Sequence, residues 1–362
     1  MKSYQLIGLM SGTSLDGLDI VHVKMAPSGF NDIESGRWGQ HLLHYETIPY
    51  TKELTQKIRQ ATEMSSFQLC LLNRELGEFY AKSVNQFIQS NQITKNELDA
   101  IASHGQTIFH QPEKGITLQI GCGTTLAVKT GITVINDFRK KDVILGGQGA
   151  PLVPIGDFSL FSNQAESFLN IGGFSNISFK KNGKIVAFDI CPGNLPLNKL
   201  ANSKGLEYDK NGELAQTGEI NFFLLDLLNE LEFYKKDGPK SLGTEWLEQY
   251  FYPLIKFDKD IENNLTTVIE HISYQIAHVL NQNQLKSVFI SGGGALNKFL
   301  IKRLKHYFKG NIIIPKKEII EYKEAIIFAF LGALFLEKKA NCLSSVTGSE
   351  RDSIGGVLHF PF

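Results

Sequence analysis

Three glycine-rich polar turns, each entered from a short apolar run, constrain this chain more than any other feature: Ser11-Gly12-Thr13-Ser14-Leu15-Asp16-Gly17, Asn170-Ile171-Gly172-Gly173-Phe174-Ser175-Asn176 and Ser291-Gly292-Gly293-Gly294-Ala295-Leu296-Asn297. Glycine lets backbone N–H groups approach an anion closely, and Ser, Thr and Asn add side-chain donors, so such turns suit phosphate groups. A single turn of this kind also serves as a tight hairpin or a helix entry. Three in one chain, each closing a strand, favour the phosphate reading. None is a P-loop, since GxxxxGK[ST] is absent, and none is a GxGxxG dinucleotide fingerprint. The nucleotide site they point to is of another kind.

The alternation of apolar runs, glycine turns and helical patterns around them is the grammar of an α/β protein. Tyr4–Met10 and Val21–Met25 read as two strands of a hairpin, and Leu72, Leu76, Tyr80, Val84 and Phe87 recur as one face of a helix. The pattern restarts at SFLNIGGFSNISFKKNGKIVAFDI, so the second half opens as the first does. Leu265 to Val279 marks a long helix, Ser287–Ile290 a strand and Ala325–Leu336 a buried apolar helix. At 362 residues the chain exceeds the roughly 250–300 at which a single core stops growing. Two α/β domains are expected, residues 1–165 and 166–362, with a cleft between them.

Charge and cysteines narrow the partners. The 37 basic residues balance 37 acidic ones, which removes the simplest electrostatic case for nucleic acid or an anionic membrane and favours a small-molecule ligand. Cys70, Cys122, Cys191 and Cys342 lie far apart with no zinc spacing, as suits a reducing compartment. The N-terminus MKSYQLIGLMSGTS lacks a signal-peptide core, and no apolar stretch reaches the roughly 18–20 residues of a membrane span. A cytoplasmic protein is expected.

Two hairpin turns gripping phosphates, with a later GGG turn near the adenosine, resemble the actin/hexokinase/heat-shock-ATPase superfamily, whose two actin-like (ribonuclease H-like) domains flank a nucleotide cleft. Within it, GLMSGTSLDGLDI (8–20) is similar to the opening signature of the anhydro-N-acetylmuramic acid kinases. The likeness continues in order through SHGQTIFHQP (103–112), TLQIG (117–121), TGITVINDFRKKDV (130–143), GGQGAPLVP (146–154), NIGGFSNIS (170–178), FDICPGN (188–194), YDKNGELAQTG (208–218), SGGGALN (291–297), EAIIFAFLGA (324–333) and SVTG (345–348).

The resemblance implies that ATP phosphorylates O6 of 1,6-anhydro-N-acetylmuramic acid while water opens the anhydro ring, a step of cell-wall recycling, and it suggests a homodimer. It gives Asp189 the role of catalytic base; a turn-stabilising Asp beside Pro192-Gly193 is the plainer alternative. ATP is expected on Gly12, Thr13, Ser14, Asp16 and Gly17, on Asn170, Gly172, Gly173 and Asn176, and on Gly292, Gly293, Gly294 and Asn297. Asp16 is the candidate contact for Mg²⁺, since a carboxylate would repel phosphate unless a cation intervenes; it could instead only fold its own turn. His104, Gln106, Asp137, Arg139 and Glu324 are the candidates for the sugar, with Arg139 suited to clamping its carboxylate.

The chain departs from the family pattern in places. Ile190 and Cys191 replace a threonine and a glycine beside the proposed base, Asn198 stands where an aspartate is usual, Leu242 and Thr244 where a threonine and an arginine are common, and Gly156-Asp157 where a histidine often occurs. Two other readings stay open at this level: an actin-like ATPase switch with no sugar chemistry, and a divergent kinase acting on another sugar or none.

Overall fold

The computed structural model describes residues 2–12, 15–27, 37–236 and 240–362. They form two compact units, Met1–Ser162 with Tyr322–Phe362, and Asn163–Glu321. In chain order the strands are β1 (Tyr4–Met10), β2 (Gly17–Pro27), β3 (Trp38–Pro49), β4 (Ala100–Ser103), β5 (Gln106–Gln111), β6 (Ile116–Ile120), β7 (Val134–Asn136), β8 (Ser167–Ile171), β9 (Phe174–Lys181), β10 (Lys184–Pro192), β11 (Ser287–Ser291), β12 (Asn311–Ile313) and β13 (Val357–His359).

The first unit's sheet runs β13-β7-β4-β1-β2-β3 and the second's β10-β9-β8-β11-β12, while β5 and β6 form a separate hairpin. Apart from β13 the two orders are the same. In each, three consecutive strands pair antiparallel, the first also pairs in parallel with the fourth, and the fourth with the fifth. The restart of the pattern near Ser167 is therefore a repeated topology, and two copies of this order constitute the actin-like, ribonuclease H-like fold class.

Helices cover these sheets with the faces that the periodicity predicts. Ser66–Ser90 begins with a capping box, in which the Ser65 hydroxyl accepts from the Gln68 N–H and the Gln68 side chain accepts from the Ser65 N–H. It buries Leu72, Leu76, Tyr80, Val84 and Phe87 in the first unit's core. In the second unit Ile261–Gln282 buries Leu265, Val268, Ile272, Ile276 and Val279 against Leu200, Phe251 and Leu300. Among the described residues no helix is long and apolar enough to cross a membrane.

The end of the chain differs from the sequence expectation. Residues 166–362 were expected to form one domain, but Tyr322–Phe362 packs with the first unit. The helix Lys317–Leu336 buries Ile326, Ile327, Phe328, Phe330 and Leu331 almost completely, and β13 then adds to the free edge of β7. A helix apolar all round must be buried, yet its composition does not say which of two similar sheets will bury it. The close fit does. A methyl group at Gly8 in β1 would collide with the Ala325 carbonyl, and one at Gly332 would come within 2.8 Å of Ala102 in β4.

A buried histidine of the second unit makes the fold sensitive to acid. His271, fully buried, has one ring nitrogen 2.8 Å from the Tyr234 hydroxyl and the other 2.7 Å from Asn229 Oδ1. Burial pushes its pKa down to about 3. As pH falls below about 6.5 the unfolded chain binds a proton that the folded one refuses, so stability falls with pH from there, by about 1 kcal/mol or more per pH unit. His271→Gln, which cannot titrate, should flatten the decline of the urea midpoint between pH 6.5 and 5; an unchanged slope would refute this.

The fit at Gly8 yields a second test. Gly8→Ala should destabilise the protein by about 1–3 kcal/mol through overpacking. Gly39→Ala, whose methyl would meet, among the described residues, only the Ala26 carbonyl at 3.9 Å, should stay within about 0.5 kcal/mol of the parent in the same urea titration.

Candidate functional site

In the second unit β8 and β11 run parallel with Asn170 opposite Ser291, so the turns leaving their C-terminal ends lie side by side. The contact is tight. A methyl at Gly292, where φ is +79°, would stand 2.5 Å from Asn170 Oδ1 and 2.7 Å from the Ile171 carbonyl, and one at Gly294 would strike the Ile171 side chain. Gly172 and Gly173 turn β8 into β9 and accept the N–H groups of Asn194 and Gly193, both at 2.8 Å. Asn297 caps the helix Lys298–Tyr307 by accepting the Leu300 N–H at 3.0 Å. The second and third glycine turns thus meet in one place.

Beside them lies a cavity of about 580 Å³ whose wall includes Asn194, Asn198, Ile269, Gly293, Asn297 and Lys298. That is the size of a small-molecule site. Asn194, which the sequence reasoning did not select, donates to the Ile171 carbonyl at 3.2 Å; its place in FDICPGN, beside Asp189, was the available signal.

Asp189 sits on β10 opposite Asn176, which in turn faces Asn170 on β8. Its N–H donates to the Lys240 carbonyl at 2.9 Å, and its Oδ2 accepts the Leu242 N–H at 2.8 Å. Burial raises its pKa, while the Leu242 N–H and the Ser241 side chain pull it back. The carboxylate is therefore held in place and made more basic. Ile190 is the extra residue of a bulge between Asp189 and Cys191, and it and Cys191 are fully buried in the core, where burial pushes the Cys191 thiol up to about 12. These departures from the family pattern sit in the core; Asn198 is the one that faces the cavity.

The first turn belongs to the other unit. Thr13 and Ser14 lie outside the described residues. Asp16 is exposed, and its Oδ1 accepts the Gly17 N–H at 3.0 Å, so it folds its own turn at least in part. Gly12 accepts the Leu15 N–H at 3.4 Å. Among the described residues no three His, Cys, Asp or Glu side chains are grouped to hold a metal.

The sugar-side candidates of this unit are largely brought together. Gln106 is buried and accepts from the Ser11 hydroxyl, which lies 2.6 Å from the Tyr50 hydroxyl. Arg139 directs Nε and Nη2 at His104 Nε2, at 3.1 and 2.9 Å, and donates from Nη1 to the Gly149 carbonyl at 2.7 Å. Guanidinium has no lone pair to offer, so His104 Nε2 must accept and Nδ1 must carry the proton, which faces the Ser11 carbonyl at 3.3 Å. Burial and the neighbouring Arg139 push His104 down to about 3, so the ring is neutral at physiological pH. Glu324 is raised by burial and pulled back by Lys323 and Arg139. Asp137 is bonded to Lys140 instead, at a positive φ of 58°. Sequence reasoning also missed the pair formed by Lys323 and Asp157 at 2.9 Å, both side chains 4% exposed.

A family model described as anhydro-N-acetylmuramic acid kinase matches residues 4–361. The anhydro-N-acetylmuramic acid kinase of Bacillus thuringiensis subsp. konkukian is 36% identical over 98% of this chain and 99% of its own length, and that of Bacillus anthracis is equally similar over the same shares. Among solved structures, an activator of 2-hydroxyisocaproyl-CoA dehydratase from Clostridium difficile with bound ADPNP aligns at a TM-score of 0.44 and 12% identity, over 92% of this chain and 97% of that one. The ROK hexokinase of Thermus thermophilus aligns at 0.38 and 15%, over 91% and 99%. With a match from its first strand to its last residues, the chain belongs to the anhydro-N-acetylmuramic acid kinase family.

Proposed function

We propose that this chain is an ATP-dependent kinase that phosphorylates O6 of 1,6-anhydro-N-acetylmuramic acid as water opens the anhydro ring, giving N-acetylmuramic acid 6-phosphate and ADP. The observation that carries this reading is the family match over residues 4–361; the anchored, raised carboxylate of Asp189 supports the mechanism. An ordinary sugar kinase takes a proton from the accepting hydroxyl, but O6 here is bound to C1 and has none. The proton comes from water. Asp189 takes it as the water oxygen bonds to C1, the C1–O6 bond breaks, and O6 attacks the γ-phosphorus in line while ADP leaves.

The paired glycine turns and Asn297 of the second unit are read as the ATP side, with the adjoining cavity for the nucleoside; Gly12 to Gly17 are read as a further phosphate contact. Mg²⁺, when bound, would neutralise charge on the phosphates, with Asp16 its candidate protein contact and water and phosphate oxygens supplying the rest. His104, Gln106, Arg139 and Glu324 are read as the sugar side. Neutral His104 accepts Arg139 rather than repelling it, which leaves the guanidinium charge for the lactyl carboxylate. An enzyme that consumes ATP works where ATP is supplied, so the reading implies the cytoplasm.

Asp189→Asn should lower turnover by about 10²–10⁴-fold and leave ATP affinity nearly unchanged. Reaction in ¹⁸O water should label C1 of the product and not its phosphate. Near-normal turnover of the variant would place the base elsewhere; label in the phosphate would mean plain hydrolysis of ATP. ADP release independent of the sugar would favour an ATPase switch instead. Turnover should also stop with a chelator and return with added Mg²⁺.

A further inference from the structure

We propose that Asp142 is a positioning residue for sugar binding, acting through the Gly146–Gly149 loop on Arg139; this rests on the reading that Arg139 grips the sugar carboxylate. Asp142 is fully buried, and its two oxygens are spent on different segments. Oδ2 accepts the Gly149 N–H at 2.8 Å and Oδ1 the Thr347 hydroxyl at 2.7 Å. The loop closes on it further: Gly147 N–H donates to the Asp142 carbonyl at 2.9 Å and Gln148 N–H to the Thr347 carbonyl at 2.8 Å. Among the described residues no cation pairs with it. A buried carboxylate held by neutral donors alone persists only where those donors are fixed.

What is fixed is Gly149, through the two peptide groups that flank it. Its N–H points at Asp142 while its carbonyl accepts Arg139 Nη1 at 2.7 Å. Gly149 has a φ of +65°, in the left-handed region that favours glycine, and a methyl there would come within 2.7 Å of the Val143 side chain, so this turn of the loop requires glycine. With Nε and Nη2 on His104 and Nη1 on Gly149, three of the five guanidinium N–H groups are committed. One hydrogen remains on each terminal nitrogen, a pair still available to a carboxylate. Releasing Gly149 would let that pair turn away.

The test is steady-state kinetics on the full chain with 1,6-anhydro-N-acetylmuramic acid and ATP varied separately. Asp142→Ala should raise the KM for sugar about ten-fold or more with the KM for ATP within about two-fold of the parent, and Asp142→Asn, which keeps an acceptor for Gly149, should recover most of the loss. Thr347→Val, a milder change should Asp142→Ala fail to fold, should move the sugar KM in the same direction by less. In an Arg139→Lys background Asp142→Ala should add little, because both act on one contact. If Arg139→Lys leaves the sugar KM unchanged, the reading of Arg139 fails and takes this proposal with it. If Arg139→Lys raises the sugar KM and neither Asp142→Ala nor Thr347→Val does, or if the two losses multiply, the positioning role alone is refuted.

Discussion

One transverse row of residues in the second unit's sheet determines what surrounds Asp189. Asp189 faces Asn176, Asn176 faces Asn170, and Asn170 faces Ser291, across β10, β9, β8 and β11. Directly opposed residues share a face of the sheet, so a polar row is presented together. A slip of one residue on any of these strands would send its member to the other face. The bulge comes only after the row, between Asp189 and Cys191. The extra residue it admits lets Ile190 and Cys191 both turn into the core, although strict alternation would bury one and expose the other.

The first unit relies on a different constraint, the satisfaction of buried polar groups. His104 can accept Arg139 because it is neutral, and it is neutral because burial and that same arginine disfavour its charged form. Asp157 and Lys323 answer each other's charge at 2.9 Å in a site where either alone would be unsupported. Such arrangements are cooperative. Each group's protonation state and orientation is the condition of its neighbour's, so the cluster offers a ligand one geometry rather than several.

Much of this was legible in the sequence because it is local. The hairpins, the faces of the two long helices, the restart near Ser167 and the glycine turns all follow from patterns within about 25 residues. The Asp189 row was half legible: each residue lay in a named motif, but the register joining them did not. The rest depended on partners far apart in the chain. Thr347 lies 205 residues from Asp142 and Lys323 166 from Asp157. A helix apolar on all sides carries no directional signal, which is why the return of Tyr322–Phe362 to the first unit had to be seen. Asp137 failed to join Arg139 for a local reason, its closer bond to Lys140.

The departures from the family pattern take on different weights once placed. Ile190 and Cys191 exchange a hydroxyl and a hydrogen for apolar bulk inside a core, where an unpaired hydroxyl would itself be unfavourable. Leu242 bears on Asp189 through its backbone N–H, which any residue but proline supplies. Asp157 has acquired its own counter-charge in Lys323. Asn198 is of another kind: it keeps the size of the usual aspartate while removing its charge from the wall of a cavity that also carries Lys298. A neutral amide there offers both a donor and an acceptor, where a carboxylate offers acceptors alone and repels a polyphosphate. Ile190, Cys191 and Leu242, the altered residues beside Asp189, therefore change packing, while the loss of charge at Asn198 falls on the side read as nucleotide-binding.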